Sequence, residues 1–183
     1  IVVLVVLAAG LWAAGLSAPP ADAAHIPHDE IRAMAVSPDF RNDGLVLSVV
    51  DDRLLRSTDG GDTWAPVVAG VPTAGLITVD FAPTEPDRAY LVGGGTLHRS
   101  DDGGRSFAPV PGFPPDVGPV RLVISRSDAD LVFVANLLGV VYRSANGGST
   151  WELVDGITGV VALEFVGDTV FAATADGRLR RSE

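Results

Sequence analysis

The chain has 183 residues, 47% of them hydrophobic, and no cysteine. Its 23 acidic residues against 13 basic ones give a formal charge of -10, so a phosphate backbone or an anionic membrane surface would repel it, and nucleic acid is a poor partner. Enough apolar material is present for one domain with a sizeable core, which excludes a disordered chain, and the missing thiols exclude disulfides, thiolate metal sites and cysteine nucleophiles.

In chain order, residues 1–16 read IVVLVVLAAGLWAAGL, followed by a proline-containing break and Ala21, Asp22, Ala23. The apolar run and the small-x-small triplet are expected to form a secretory signal peptide, residues 1–23, cut after Ala23. An uncleaved anchor is the alternative, although sixteen residues fall short of the roughly 20 that span a bilayer. Export of a cysteine-free acidic domain fits a bacterial envelope or medium. His25, His28, Asp29 and Glu30 come next. A His-x-x-His pair beside two acids can ligate a metal, but the position reads as a solvated entry segment, and no metal or cofactor is expected.

From there on the chain repeats itself. "RSTDGGDTW" starts at Arg56, "RSDDGGRSF" at Arg99 and "RSANGGSTW" at Arg143, and Arg181, Ser182, Glu183 open a fourth copy. The serines Ser57, Ser100, Ser144 and Ser182 are spaced 43, 44 and 38 residues apart, a period that belongs to propeller blades or helical arrays. Strand signals decide between them. Two short β-branched runs precede each copy, such as "LITVDFAP" then "AYLVG". Turn residues such as Asn42-Asp43-Gly44, Glu85-Pro86-Asp87 and Asp128-Ala129-Asp130 separate the runs. A third strand enters the motif, with Leu54, Leu97, Val141 or Leu179 three residues before the serine, and a short fourth strand follows the aromatic. The expectation is an all-β β-propeller of four-stranded antiparallel blades. Three would be complete, at about residues 30–72, 73–115 and 116–158, with a partial fourth at 159–183, forming an incomplete ring that is the N-terminal part of a longer propeller.

The pattern Ser-x-Asp-x-Gly-x-Thr-Trp resembles the Asp-box, or BNR, repeat. The first copy is Ser57, Asp59, Gly61, Thr63, Trp64; the second is Ser100, Asp102, Gly104, Ser106, Phe107; the third is Ser144, Asn146, Gly148, Thr150, Trp151. A turn of this kind needs glycine where φ is positive, an Asp or Asn oxygen to accept from backbone N–H groups, and hydroxyls for the remaining polar groups. The aromatic supplies a body for packing. Asn146 keeps the acceptor oxygen but would make a poor general base, so the motif reads as architecture.

The resemblance extends to sialidases, xyloglucan-cleaving glycoside hydrolases, sortilin-like receptors and photosystem II assembly factors, and the fold does not choose among them. A sialidase would need an arginine cluster and a tyrosine nucleophile, yet Arg56, Arg99, Arg143 and Arg181 recur in phase, and Tyr90 and Tyr142 lie in strand runs. A glucanase would need two carboxylates across a cleft. The candidates outside the repeat frame are Asp51, Asp52, Asp80, Glu85 and Glu164, with Asp80 and Glu164 in corresponding positions before a phenylalanine. Gly93, Gly94 and Gly95 lack the Gly-Lys-Ser/Thr ending of a phosphate loop and read as a turn. The expected function is an exported, non-catalytic binding or assembly scaffold. It would hold a protein or carbohydrate ligand on the loops at 50–53, 93–96, 136–139 and 175–177. The alternative is a fragment of a glycoside hydrolase.

Overall fold

A computed structural model describes residues 30–114 and 118–182. The expected leader, His25, His28 and Asp29 lie outside the described residues. Four antiparallel sheets follow one another along the chain, each a meander of consecutive strands. The first holds β1 (Ile31–Val36), β2 (Val46–Val50), β3 (Arg53–Ser57) and β4 (Ala65–Val67). The second holds β5 (Thr78–Ala82), β6 (Glu85–Gly93), β7 (Thr96–Ser100) and β8 (Ala108–Pro109). The third holds β9 (Pro119–Ile124), β10 (Val132–Asn136), β11 (Val141–Ser144) and β12 (Glu152–Leu153). The fourth has three strands among the described residues, β13 (Val160–Val166), β14 (Thr169–Thr174) and β15 (Leu179–Arg181).

The register repeats with the sequence. Ser57 pairs with Val46, Ser100 with Ala89 and Ser144 with Val132, and the Ser182 N–H donates to the Val170 carbonyl at 2.9 Å. Every sheet therefore meets its neighbour with the same positions.

Because side chains alternate across a strand, each interior sheet presents one apolar set to the sheet before it and another to the sheet after it. From β6, Ala89 and Leu91 join a core with Leu47, Val49 and Leu54 of the first sheet, while Tyr90 and Val92 join Val132 and Val134 of the third. Phe133 and Ala135 of β10 then pack against Leu163, Phe165 and Val170 of the fourth. This is the face-to-face stacking of propeller blades, with a hydrophobic core in each gap. Tyr90 is fully buried in such a gap, and Tyr142 meets Phe113 edge-on with ring centroids 6.1 Å apart.

Two local expectations change. Glu85-Pro86-Asp87 is not a turn, because β6 begins at Glu85, which pairs with Ala82. Pro83 and Thr84 alone reverse the chain there. Between β1 and β2, Asn42 and Asp43 lie in a single helical turn, α1 (Phe40–Asp43), which ends on Gly44 in the left-handed region (φ 58°).

Candidate functional site

The meander divides each blade into two ends. At one end lie the β1–β2 type turns and the repeated motifs; at the other lie the β2–β3 type turns and the entry of each blade.

At the motif end the polar side chains bond to one another. Ser57 Oγ accepts from the Gly61 N–H at 2.9 Å and donates to Asp59 Oδ1 at 2.7 Å. Asp59 also accepts from the Thr63 N–H at 2.9 Å and the Thr63 hydroxyl at 2.5 Å. In the second motif Ser100 bonds Asp102 and Gly104 in the same way, and Ser106 supplies the hydroxyl and N–H that Asp102 accepts. In the third, Asn146 Oδ1 accepts from Ser144 Oγ and the Thr150 N–H, while Asn146 Nδ2 donates to Thr150 Oγ1 at 2.8 Å. The direction of that last bond is reversed because an amide nitrogen can only donate. Trp64 and Trp151 each donate their ring N–H to a motif glycine carbonyl, Gly61 or Gly148.

These bonds explain the acidities. Hydrogen bonds from the Thr63 hydroxyl and N–H and from Ser57 hold the Asp59 carboxyl at about 2. For Asp102 desolvation is the largest single influence and pushes upward, but the bonds from Ser106, Ser100 and Arg105 together outweigh it and the carboxyl also falls to about 2. Groups of this kind are ionised turn acceptors at any ordinary pH, unsuited to proton transfer near neutrality.

The in-phase arginines have a use that their recurrence in the sequence did not reveal. Arg56 Nε donates to the Gly103 carbonyl at 2.8 Å, and Arg99 Nη1 donates to the Gly147 carbonyl at 2.6 Å. Each arginine thus reaches from its own motif to the motif of the next blade. Arg88 adds a second tie across the same gap as Arg99, bonding Asp130 Oδ1 at 2.6 Å. Arg143 instead lies 3.8 Å from Glu152 within its own sheet.

At the opposite end the four expected loops do share one side. Each is tied to the chain entering its own blade: Asp51 N–H to the Glu30 carbonyl, Gly94 to Gly75, Leu137 to Gly118 and Ala175 to Gly159. Asp51 and Asp52 both take positive φ (47° and 58°), the conformation of a tight primed hairpin turn. Asp52 Oδ1 accepts from Arg32 at 3.0 Å and from the Leu76 N–H at 3.1 Å. Gly94 and Gly95 form the corresponding turn in the second blade. Leu137 and Leu138 stand out, exposed by 77% and 79% at the tip of the third.

The five carboxylates outside the motif do not converge. Asp51 and Asp52 lie at the loop end, and Glu85 lies at the motif end. Asp80 and Glu164 alone line a common hollow, of about 450 Å³, with Arg121 and Arg126. Asp80 is open to water along this hollow yet poorly solvated within it, and that desolvation, followed by the repulsion of Glu164, raises its carboxyl above the ordinary value. Among the described residues no three His, Asp or Glu side chains come together to hold a metal ion.

No protein-family model matches the sequence, and no curated protein matches it. Among solved structures the chain is similar to an ancestral GH74 enzyme, at 19% identity and a TM-score of 0.67, covering 84% of this chain and 22% of that one. It is similar to YCF48 from Cyanidioschyzon merolae, at 19% identity and a TM-score of 0.60, covering 80% of this chain and 50% of that one. Another YCF48 structure, at 20% identity and a TM-score of 0.59, is bound to D1 peptide; the match covers 80% of this chain and 49% of that one. The chain therefore spans about a fifth to a half of these proteins. Likeness at such low identity establishes the fold, and the fold is that of propeller blades.

Proposed function

We propose that the segment is a run of Asp-box repeats serving as an exported, non-catalytic scaffold, which binds a protein or peptide on the loop end of its blades. The observation that carries this reading is the motif geometry: the recurring serines, acids and hydroxyls spend their hydrogen bonds on one another, and Asn146 fills the acid's place with the same Ser and Thr partners. What is left for recognition lies at the other end, where Leu137 and Leu138 project. An exposed apolar pair on a loop held by a rigid blade is a usual place for a protein contact. That a YCF48 structure of similar fold is bound to D1 peptide supports peptide binding by such blades. The apolar run at residues 1–16 and the small-x-small triplet after it support export to a bacterial envelope or medium.

A photo-crosslinking amino acid at Leu137, in cells exporting the chain, is expected to capture a protein, whereas the same group at Ser149 on the motif end captures none. Equal capture at both positions would remove the assignment of the loop end. The second reading, a glycoside hydrolase fragment, draws on the Asp80 and Glu164 hollow. Release of reducing ends from xyloglucan by the chain, lost in Asp80→Asn, would favour it.

A further inference from the structure

At its outer rim the gap between the first and second sheets differs from the gap between the second and third. In each, the in-phase arginine reaches across to a motif carbonyl, Arg56 to Gly103 and Arg99 to Gly147. In the later gap that arginine is also neutralised, since Asp101 accepts from Arg99 Nε at 3.0 Å and from Nη2 at 2.8 Å. In the earlier gap Thr58 stands where Asp101 stands, and Arg105 stands where the third motif has Ser149. One acid is thus missing and one base added. Among the described residues no carboxylate forms an ion pair with either Arg56 or Arg105.

Both guanidiniums line a recess of about 330 Å³ beside β4. Arg56 commits only its Nε–H, to Gly103, which leaves both terminal nitrogens for a ligand. Arg105 commits Nη1 to the Asp102 carbonyl. Thr58 also lines the recess, and its hydroxyl has no partner among the described residues. Desolvation, and after it repulsion by Arg105, lowers the Arg56 pKa, and the attraction of Asp102 and Asp43 does not offset the two. An anion placed between such cations relieves the repulsion and restores the lost solvation. Beside the charges, Pro66, Val67 and Val68 form an apolar wall, with Val68 exposed by 81%. A smaller recess of about 160 Å³ recurs at the corresponding place in the later gap, where it holds Arg99 with its partner Asp101. Since that gap has a further sheet on either side, the recess belongs to the junction of two blades and not to an end of the array.

We infer that the recess between the first two blades binds a small organic oxyanion, a carboxylate, sulfate or phosphate carried on an apolar body. The oxyanion sits on Arg56, Arg105 and the Thr58 hydroxyl, and the body lies against Pro66 and Val68. Planar guanidiniums suit such oxygens, pairing with two at a time. The formal charge of -10 works against a polyanion and favours a single anionic group held by close contacts. The site takes a small molecule and is separate from the protein contact assigned to the loop end.

The test uses the full chain labelled with ¹⁵N and follows the arginine Nε–H signals during titration with phenyl phosphate, phenyl sulfate, benzoate, inorganic phosphate and the neutral benzyl alcohol. At least one of the three phenyl anions is expected to shift the Arg56 and Arg105 signals saturably below about 10 mM, more tightly than inorganic phosphate, and the tightest of them names the oxyanion. Benzyl alcohol is expected to shift neither signal. Thr58→Asp gives Arg56 the carboxylate that Arg99 already has in Asp101, and is expected to abolish binding while the rest of the spectrum stays in place. Arg105→Ala is expected to weaken binding by about tenfold or more through loss of a charged hydrogen bond, and Arg143→Ala to leave it unchanged. No saturable shift with any of the anions, or unchanged affinity in Thr58→Asp, would overturn the site. Equal affinity for phenyl phosphate and inorganic phosphate would overturn the role of the apolar wall.

Discussion

Replacing Ser100 with alanine removes one hydroxyl, but the residue is 1% exposed and its hydroxyl makes three hydrogen bonds, the longest from the Asp102 N–H at 3.3 Å. Its oxygen accepts the Gly104 N–H at 2.9 Å, inside the blade, and its proton goes to Asp102 at 2.7 Å. No water replaces it at Gly104, and an unpaired buried N–H costs about 1–3 kcal/mol. The lost bond to Asp102 adds less than its buried value, since that carboxylate can turn to water, so the total is about 2–4 kcal/mol. Against a typical domain stability of about 5–15 kcal/mol this is a large fraction. Urea unfolding followed by tryptophan fluorescence is expected to show a midpoint lower by about 1–2 M with an unchanged slope. Ser106→Ala, which removes an exposed hydroxyl from the same carboxylate, is expected to stay within about 1 kcal/mol. Equal, small effects of the two substitutions would refute the idea that the buried serine organises the turn.

The arginine ties separate in the same way. Arg99→Ala loses a charged bond to the Gly147 carbonyl and is expected to cost about 1.5–3 kcal/mol, whereas Arg143→Ala, which loses only an exposed ion pair, is expected to cost under about 1 kcal/mol in the same denaturation assay. Phe107→Ala opens a cavity between the first two sheets, where the ring is 5% exposed, and calorimetry is expected to register a loss of about 3–5 kcal/mol.

Much of this was legible in the chain. The three motif serines and the β-branched runs before them fixed the number and order of the strands, because short apolar runs parted by turn residues leave few alternatives. The arginine ties were not legible, since their acceptors are backbone carbonyls 47 and 48 residues away, and a carbonyl leaves no mark in a sequence. Glu85, Pro86 and Asp87 look like turn residues by type, yet Pro83 and Thr84 had already reversed the chain. Trp64 shares its motif position with Phe107 but not its burial, because among the described residues no other sheet packs on Trp64, whereas the first sheet packs on Phe107. Asp80 and Glu164 looked alike in sequence because they are alike in register; only the packing of the blades put both on one hollow.

The central claim is that the motif carboxylates are turn acceptors, and pH tests it most directly. Asp59 and Asp102 both titrate at about 2 in the folded protein against 3.8 ordinarily. Their pKa values are depressed by folding, so their contribution is fully present above pH 3.8 and is lost as pH falls through that value toward 2. The measurement is the stability of the Asp59→Asn, Asp102→Asn double variant against pH, beside the unaltered chain. With Asn146 as the natural precedent, the account predicts near-equal stability at pH 7 and a shallower loss for the variant between pH 4 and 2. Collapse of the variant at pH 7, or an acid limb identical to that of the unaltered chain, would contradict it.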